Sequence, residues 1–162
     1  MSSDAPPHGR FVVVPAVYVL LLRPAPMPGG REVLLQLREG TGYMDGHWAA
    51  AAAGHVEAGE SVYDAAAREA LEELGVTDLV LEPWCAMQRT GATGDPVDER
   101  VDYFLTATSW SGVPRVLEPA KCAELRWCNL SDLPSPVVPH ELRVLQSVRG
   151  GSVPPILTHG FG

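Results

Sequence analysis

Between residues 54 and 76 the chain reads Gly-His-Val-Glu-Ala-Gly-Glu-Ser-Val-Tyr-Asp-Ala-Ala-Ala-Arg-Glu-Ala-Leu-Glu-Glu-Leu-Gly-Val. No other stretch constrains the molecule as tightly. Ser61 suits a helix N-cap, and Asp64 follows at the third helical position, a variant of the capping box. Ala65, Ala66, Ala67, Ala70, Leu71 and Leu74 favour helix, and Gly75 is the residue expected just past a helix end. These residues predict a helix over Ser61–Leu74, entered through the Gly-containing loop Gly54–Glu60. At about 100° per residue, Val62, Tyr63, Ala66, Ala67, Ala70, Leu71 and Leu74 form one apolar arc. Glu69, Glu72 and Glu73 form the arc beside it.

Three carboxylates so placed repel one another, at a cost of roughly 0.2–0.5 kcal/mol per like-charged pair. A hard divalent cation removes that cost, because Mg²⁺ prefers carboxylate oxygens and keeps several waters. Arg68 lies beside the cluster, within reach of Glu60. A run of charge on a helix is commonly no more than a solvated face. Here, however, the charges stand in register with Gly54, Glu60 and Gly75.

The pattern is Gly54, five residues, Glu60, seven residues, Arg68-Glu69, an apolar residue, one residue, Glu72-Glu73, one residue, Gly75 and an apolar residue. At average residue usage its chance occurrence in such a chain is on the order of 10⁻⁷, which excludes coincidence. It matches the signature of the Nudix hydrolases at every defined position, and the chain resembles that family from Phe11 to Val148. The resemblance implies an α/β/α sandwich with a central mixed sheet. It also implies an enzyme that cleaves a nucleoside diphosphate linkage with the help of Mg²⁺, or alternatively Mn²⁺, and cysteines that read as reduced thiols add the expectation of a cytoplasmic location. The implied metal ligands are Glu69, Glu72 and Glu73 with the Gly54 carbonyl, joined by Glu60 and Glu118. Arg68 and Glu69 belong to the implied catalytic set, and Glu72 and Glu118 are the two candidates for general base. One departure is that many relatives carry Pro before the position of Gly54. Here five alanines, Ala49–Ala53, precede it, which puts the placement of the Gly54 carbonyl in question.

Composition narrows the partners. A chain of 162 residues is expected to form one domain with a normal core. The expected division is a loose N-terminus over 1–10, a domain over 11–149 and a tail over 150–162. A net charge of −8 argues against nucleic acid as a partner, whereas a small nucleotide can still approach through bound cations. The apolar run Phe11–Leu22 is too short to span a membrane and reads as a buried strand. Cys85, Cys122 and Cys128 lack zinc-ligand or pairing spacing and read as reduced thiols. A homodimer is compatible with all of this.

Further strands are expected at Glu32–Arg38, Trp48–Ala53, Leu79–Gln88, Val101–Thr108 and Glu124–Cys128, with a loop at Thr90–Arg100 and a second helix at His140–Val148. The tail Gly150–Gly162 shows no periodic pattern. Strands flanking one central helix, with a second helix near the end, indicate a layered α/β domain.

Three flanking features bear on substrate. Arg38 closes a strand, where relatives that hydrolyse nucleotides place an arginine on phosphate, and guanidinium suits that role by its permanent charge. Glu118 lies in Glu-Pro-Ala-Lys-Cys, which resembles a segment of Nudix enzymes acting on nucleoside triphosphates. Asp98 and Glu99 are rivals for its role. Tyr43 or Trp48 is placed to stack on a base, with core packing the competing role for Trp48, while His47 and His55 read as surface residues. Markers that relatives use for ADP-ribose, diadenosine polyphosphates or coenzyme A are absent. The expectation is therefore cleavage of a nucleoside triphosphate to monophosphate and pyrophosphate. The alternatives are hydrolysis of ADP-ribose or another nucleoside diphosphate derivative, or a module that senses nucleotides without cleaving them.

Overall fold

The computed structural model describes residues 9–162, so residues 1–8 of the expected loose N-terminus lie outside the described residues. In chain order the elements are β1 (Val14–Pro24), β2 (Arg31–Arg38), β3 (Trp48–Ala50), β4 (Ala52–His55), α1 (Val62–Leu74), β5 (Leu81–Thr90), β6 (Glu99–Ala107), β7 (Cys122–Asn129), α2 (Pro139–Gly150) and β8 (Ile156–His159). A 3₁₀ turn, Pro96–Asp98, precedes β6.

Strand β1 organises the molecule because it is apolar on both faces. Val17, Val19 and Leu21 point into one core with Ala65, Ala66, Ala70 and Leu74 of α1. Ala16, Tyr18, Leu20 and Leu22 point into a second core with Val144, Leu145 and Val148 of α2. A strand buried on both faces reads as an unbroken apolar run, as this one does. The result is a mixed sheet with a helix on each side, the α/β/α arrangement expected.

Strands β1 and β6 are parallel over Val14–Leu21, β5 and β6 are antiparallel, and β1 meets β2 as an antiparallel pair only at Leu22–Pro24. Below that point β1 pairs instead with β4, while β2 pairs with β3 on one edge and β7 on the other. The segment Trp48–Ala53, expected as one strand, is thus two. It leaves β2 at Ala50 and joins β1 at Ala52, turning at Ala51. Alanines show no alternation that could mark this change of partner.

Several limits moved. Strand β1 starts at Val14 rather than Phe11, which is 67% exposed, and runs on through Arg23 and Pro24. Strand β5 extends to Thr90 and β6 begins at Glu99, so the expected loop Thr90–Arg100 gives its two ends, Thr90 and Glu99–Arg100, to paired strands. The tail contributes β8, which lies parallel to β5 over Ala86–Arg89. That strand is held by main-chain bonds and by Arg143 Nη1 donating to the Thr158 carbonyl, so an apolar period was not needed to form it. The three cysteines are buried free thiols. Among the described residues no helix is long and apolar enough to cross a membrane.

Candidate active site

Helix α1 begins as its sequence dictates. Ser61 Oγ accepts from the Asp64 amide at 3.0 Å, and Gly75 ends the helix at φ 71°, its N–H on the Leu71 carbonyl. The buried arc differs from the expected one. Ala65, Ala66, Ala70 and Leu74 are buried, whereas Tyr63 and Leu71 are about half exposed, at 48% and 50%. This rotation turns Glu69 and Glu73 inward toward β4 and leaves Glu72 outward. The three glutamates therefore have distinct environments.

Arg68 is the hub of the acidic face. Its Nη2 donates to Glu60 Oε1 at 2.7 Å and to the His55 carbonyl at 3.0 Å, and its Nε donates to Glu60 Oε2. Its Nη1 donates to Glu69 Oε1 at 2.8 Å and lies 3.4 Å from Glu72 Oε2. The guanidinium bonds hold the Glu60 carboxyl below its ordinary range, and Glu60 also accepts from the Glu57 amide. Glu69 is raised, chiefly by burial, although Arg68 works against the shift. Glu73 accepts from the Ala53 amide at 2.8 Å and is pushed up to about 8, first by burial and then by Glu69 and Glu118.

Glu118 faces Glu73 across a small void that Lys121 and Gln36 also line, so the structure brings Glu118 to the acidic face. Asp98 instead lines the main cavity, and Glu99 accepts from the Thr90 hydroxyl. Among the described residues no three His, Cys, Asp or Glu side chains stand together as a ready metal cage, because the carboxylates spread around Arg68. The residues nevertheless fit a hard divalent ion. Burial and mutual repulsion raise both Glu69 and Glu73, so their ionised forms are stabilised by a cation at that corner. The Gly54 backbone lies hard against the Glu69 carboxylate, since a Cβ there would stand 2.2 Å from Oε1. That approach gathers the Gly54 main chain and Glu69 into one oxygen-rich corner, as such ions require.

From Gly54 and His55 a cavity of about 460 Å³ runs under α2, with Arg38, Tyr43, Arg89, Arg100, His140 and Glu141 among its walls. Its size falls in the usual range for small-molecule sites, about 300–1,000 Å³. Arg38 is fixed at its mouth. Its Nε donates to the Tyr43 carbonyl at 2.8 Å and its Nη2 to Thr41 Oγ1 at 3.0 Å, while the guanidinium lies over the Tyr43 ring. Trp48 is buried beneath Arg126, away from the walls. His55 is a cavity residue, its Nε2 2.9 Å from Arg100 Nη1.

The floor of the cavity was invisible to sequence reasoning. Asp102 on β6 is wholly buried and accepts from Arg89 Nε at 2.8 Å, while Arg89 Nη2 lies 3.5 Å from the Tyr18 hydroxyl. Tyr18 is 3.2 Å from His140 Nε2, and burial pushes His140 down to about 2, so its ring is neutral. Glu141 Oε1 accepts from the Ala50 amide at 2.8 Å, and burial pushes this carboxyl up to about 7. These five residues come from β1, β5, β6 and α2. The one local hint was a polar His-Glu pair opening an otherwise amphipathic helix.

Comparison with known proteins places these features in context. A family model described as the NUDIX domain matches residues 13–148. An isopentenyl-diphosphate Delta-isomerase of Cereibacter sphaeroides is 34% identical over 117 residues, covering 70% of this chain and 66% of that protein. Among solved structures, the MutT NUDIX hydrolase from Burkholderia pseudomallei has 29% identity and a TM-score of 0.66, covering 82% of this chain and 98% of the other. The NUDIX domain of Shewanella oneidensis NrtR, complexed with ADP ribose, has a TM-score of 0.70 over 92% of this chain and 94% of its own. At 19% identity that likeness shows the fold alone.

Proposed function

Because the chain belongs to the NUDIX domain family, we propose that it hydrolyses a nucleoside triphosphate between the α and β phosphorus, releasing a monophosphate and pyrophosphate. The observation that carries this reading is the continuity of the two regions. The inward acidic face of α1 opens at Gly54 and His55 into a cavity large enough for a nucleoside. A ligand filling that cavity presents its phosphates to Glu69, Glu72 and Glu73.

Phosphoryl transfer asks a protein mainly to position reactants and to balance charge on the phosphoryl oxygens. Mg²⁺, or Mn²⁺ in its place, supplies most of that balance when bound by Glu69, Glu72, Glu73, the Gly54 carbonyl and, at the margins, Glu60 and Glu118. Arg68 keeps Glu60 and Glu69 in place through three bonds of 3.1 Å or less. Arg38 binds an α- or β-phosphate with the guanidinium edge that the loop leaves free. Glu72 is the most exposed of the three helix glutamates and Glu118 faces Glu73, so one of these two takes the proton from the attacking water.

The 34% identity to an isopentenyl-diphosphate isomerase favours a second reading, action on a diphosphate ester without a base. One experiment separates the readings. Nucleoside triphosphates, ADP-ribose, nucleotide sugars and isopentenyl diphosphate are incubated with the protein and Mg²⁺, and the products are resolved by chromatography. Monophosphate and pyrophosphate from a triphosphate are expected. Turnover of another member of the panel a hundredfold faster would overturn the substrate assignment.

A further inference from the structure

Two acceptors are left free at the cavity floor, on Glu141 and Gln36. Glu141 gives one oxygen to the Ala50 amide, and among the described residues nothing donates to the other, which opens to the cavity. Gln36 Nε2 donates to the Ala50 carbonyl at 2.9 Å, so its amide oxygen is the end left free. Asp102 Oδ1 is fully buried without a partner, but it lies behind the wall and outside the cavity lining. Arg89 is held through Nε by Asp102 and through Nη2 by Tyr18, with Nη1 left as a donor beside Arg38 and Arg100, and His140 carries no charge. At Glu141 and Gln36 the floor therefore offers acceptors in search of donors.

We propose that this floor selects the base of the nucleotide, with Glu141 as the specificity-determining residue, and that it favours an edge carrying adjacent N–H donors, as guanine does. The inference rests on the nucleotide reading above. A carboxylate accepts through both oxygens and donates nothing. Guanine presents a ring N–H beside an amino group. Adenine and cytosine present an amino group beside a bare ring nitrogen, which repels a carboxylate, and uracil has a single N–H between two carbonyls. A site built to bond a donor rejects ligands that lack it, because its own buried groups are then left unpaired.

The test is binding of product nucleotides, which needs no cleavage. Calorimetric titration with GMP, IMP, AMP, CMP and UMP is run with Mg²⁺ at pH 8.5, where Glu141, pushed up to about 7, is ionised. GMP is expected to bind roughly tenfold or more tighter than AMP, with IMP, which keeps the ring N–H but lacks the amino group, between them. Glu141→Gln still accepts the Ala50 amide and is expected to bring GMP to the level of AMP, with the fold checked by its melting temperature. Equal binding of GMP and AMP by the wild-type protein, or a Glu141→Gln variant that keeps the preference, overturns the inference. If triphosphates are cleaved with the same kcat/KM whatever the base, only the base assignment fails. If no nucleotide binds or is cleaved, the nucleotide reading fails with it.

Discussion

Gly54→Ala tests the acidic face directly. The added Cβ would lie 2.2 Å from Glu69 Oε1, 2.3 Å from its Cδ and 2.8 Å from Oε2, where ordinary contact begins at 3.4 Å. The obstacle is the end of a flexible side chain, so the backbone need not move and Glu69 must retreat by roughly 1 Å. That retreat breaks the 2.8 Å bond from Arg68 Nη1. Loss of one charge-assisted bond costs about 1–2 kcal/mol, or roughly 2–8 °C in Tm for a chain of this size. Displacement of a catalytic group by about 1 Å costs around 10²-fold in rate, so activity is expected to suffer more than stability. Thermal melts and steady-state turnover of the best triphosphate with Mg²⁺ measure both. A kcat within about threefold of wild type would show that Glu69 tolerates the shift and is not part of the reaction centre. A Tm loss well beyond 8 °C would show that the Gly54 contact supports the fold itself.

Glu73→Gln is expected to lower kcat by about two orders of magnitude, roughly 3 kcal/mol, without lowering Tm, because its amide oxygen can still accept from Ala53; an unchanged kcat removes Glu73 from the site. Arg38→Ala is expected to raise KM more than it lowers kcat, whereas Glu118→Gln should lower kcat, and initial-rate kinetics distinguish the two patterns. Burial, helped by Asp102 and opposed by the Ala50 amide, Arg38 and Arg89, raises Glu141 from 4.5 to about 7. The folded protein thus keeps this proton after the unfolded chain has lost it. The associated stability is present below 4.5 and is lost as pH rises to about 7, a change of about 3 kcal/mol. Urea denaturation across this range should show the wild type losing that amount relative to Glu141→Gln, and parallel curves would refute it. Because Arg68 already bridges Glu60 and Glu69, EDTA should abolish turnover yet leave the melting curve nearly unchanged.

What could be read from the sequence was what local chemistry determines. Ser61, Asp64 and Gly75 set the ends of α1 within a turn of themselves, and the expected helix differs from the observed one only in counting the cap. The unbroken apolar run of β1 announced burial on both faces. The inward turn of Glu69 and Glu73 was not legible, because alanine, tyrosine and leucine all count as apolar, whereas Ala65, Ala66, Ala70 and Leu74 are the residues the helix buries. The cavity floor was hidden for a different reason. Tyr18 and His140 meet across 122 positions and Tyr18 and Arg89 across 71, and only the packing of α2 on the sheet and the pairing of the strands bring them together. Strand β8, with four residues bound through its main chain, leaves no side-chain pattern to find.

The alanine run gives the protein an unusual route for divergence. Ala49, Ala50 and Ala53 form cavity wall, while Ala51 and Ala52 pack toward α1. A single added methyl therefore does one of two separable things according to its position. At 49, 50 or 53 it subtracts room from whatever the cavity holds, and at 51 or 52 it presses on the helix that carries Glu69 and Glu73. Two neighbouring codons can thus retune the choice of ligand or the chemistry independently, and a library restricted to these five positions would explore both without touching a charged residue.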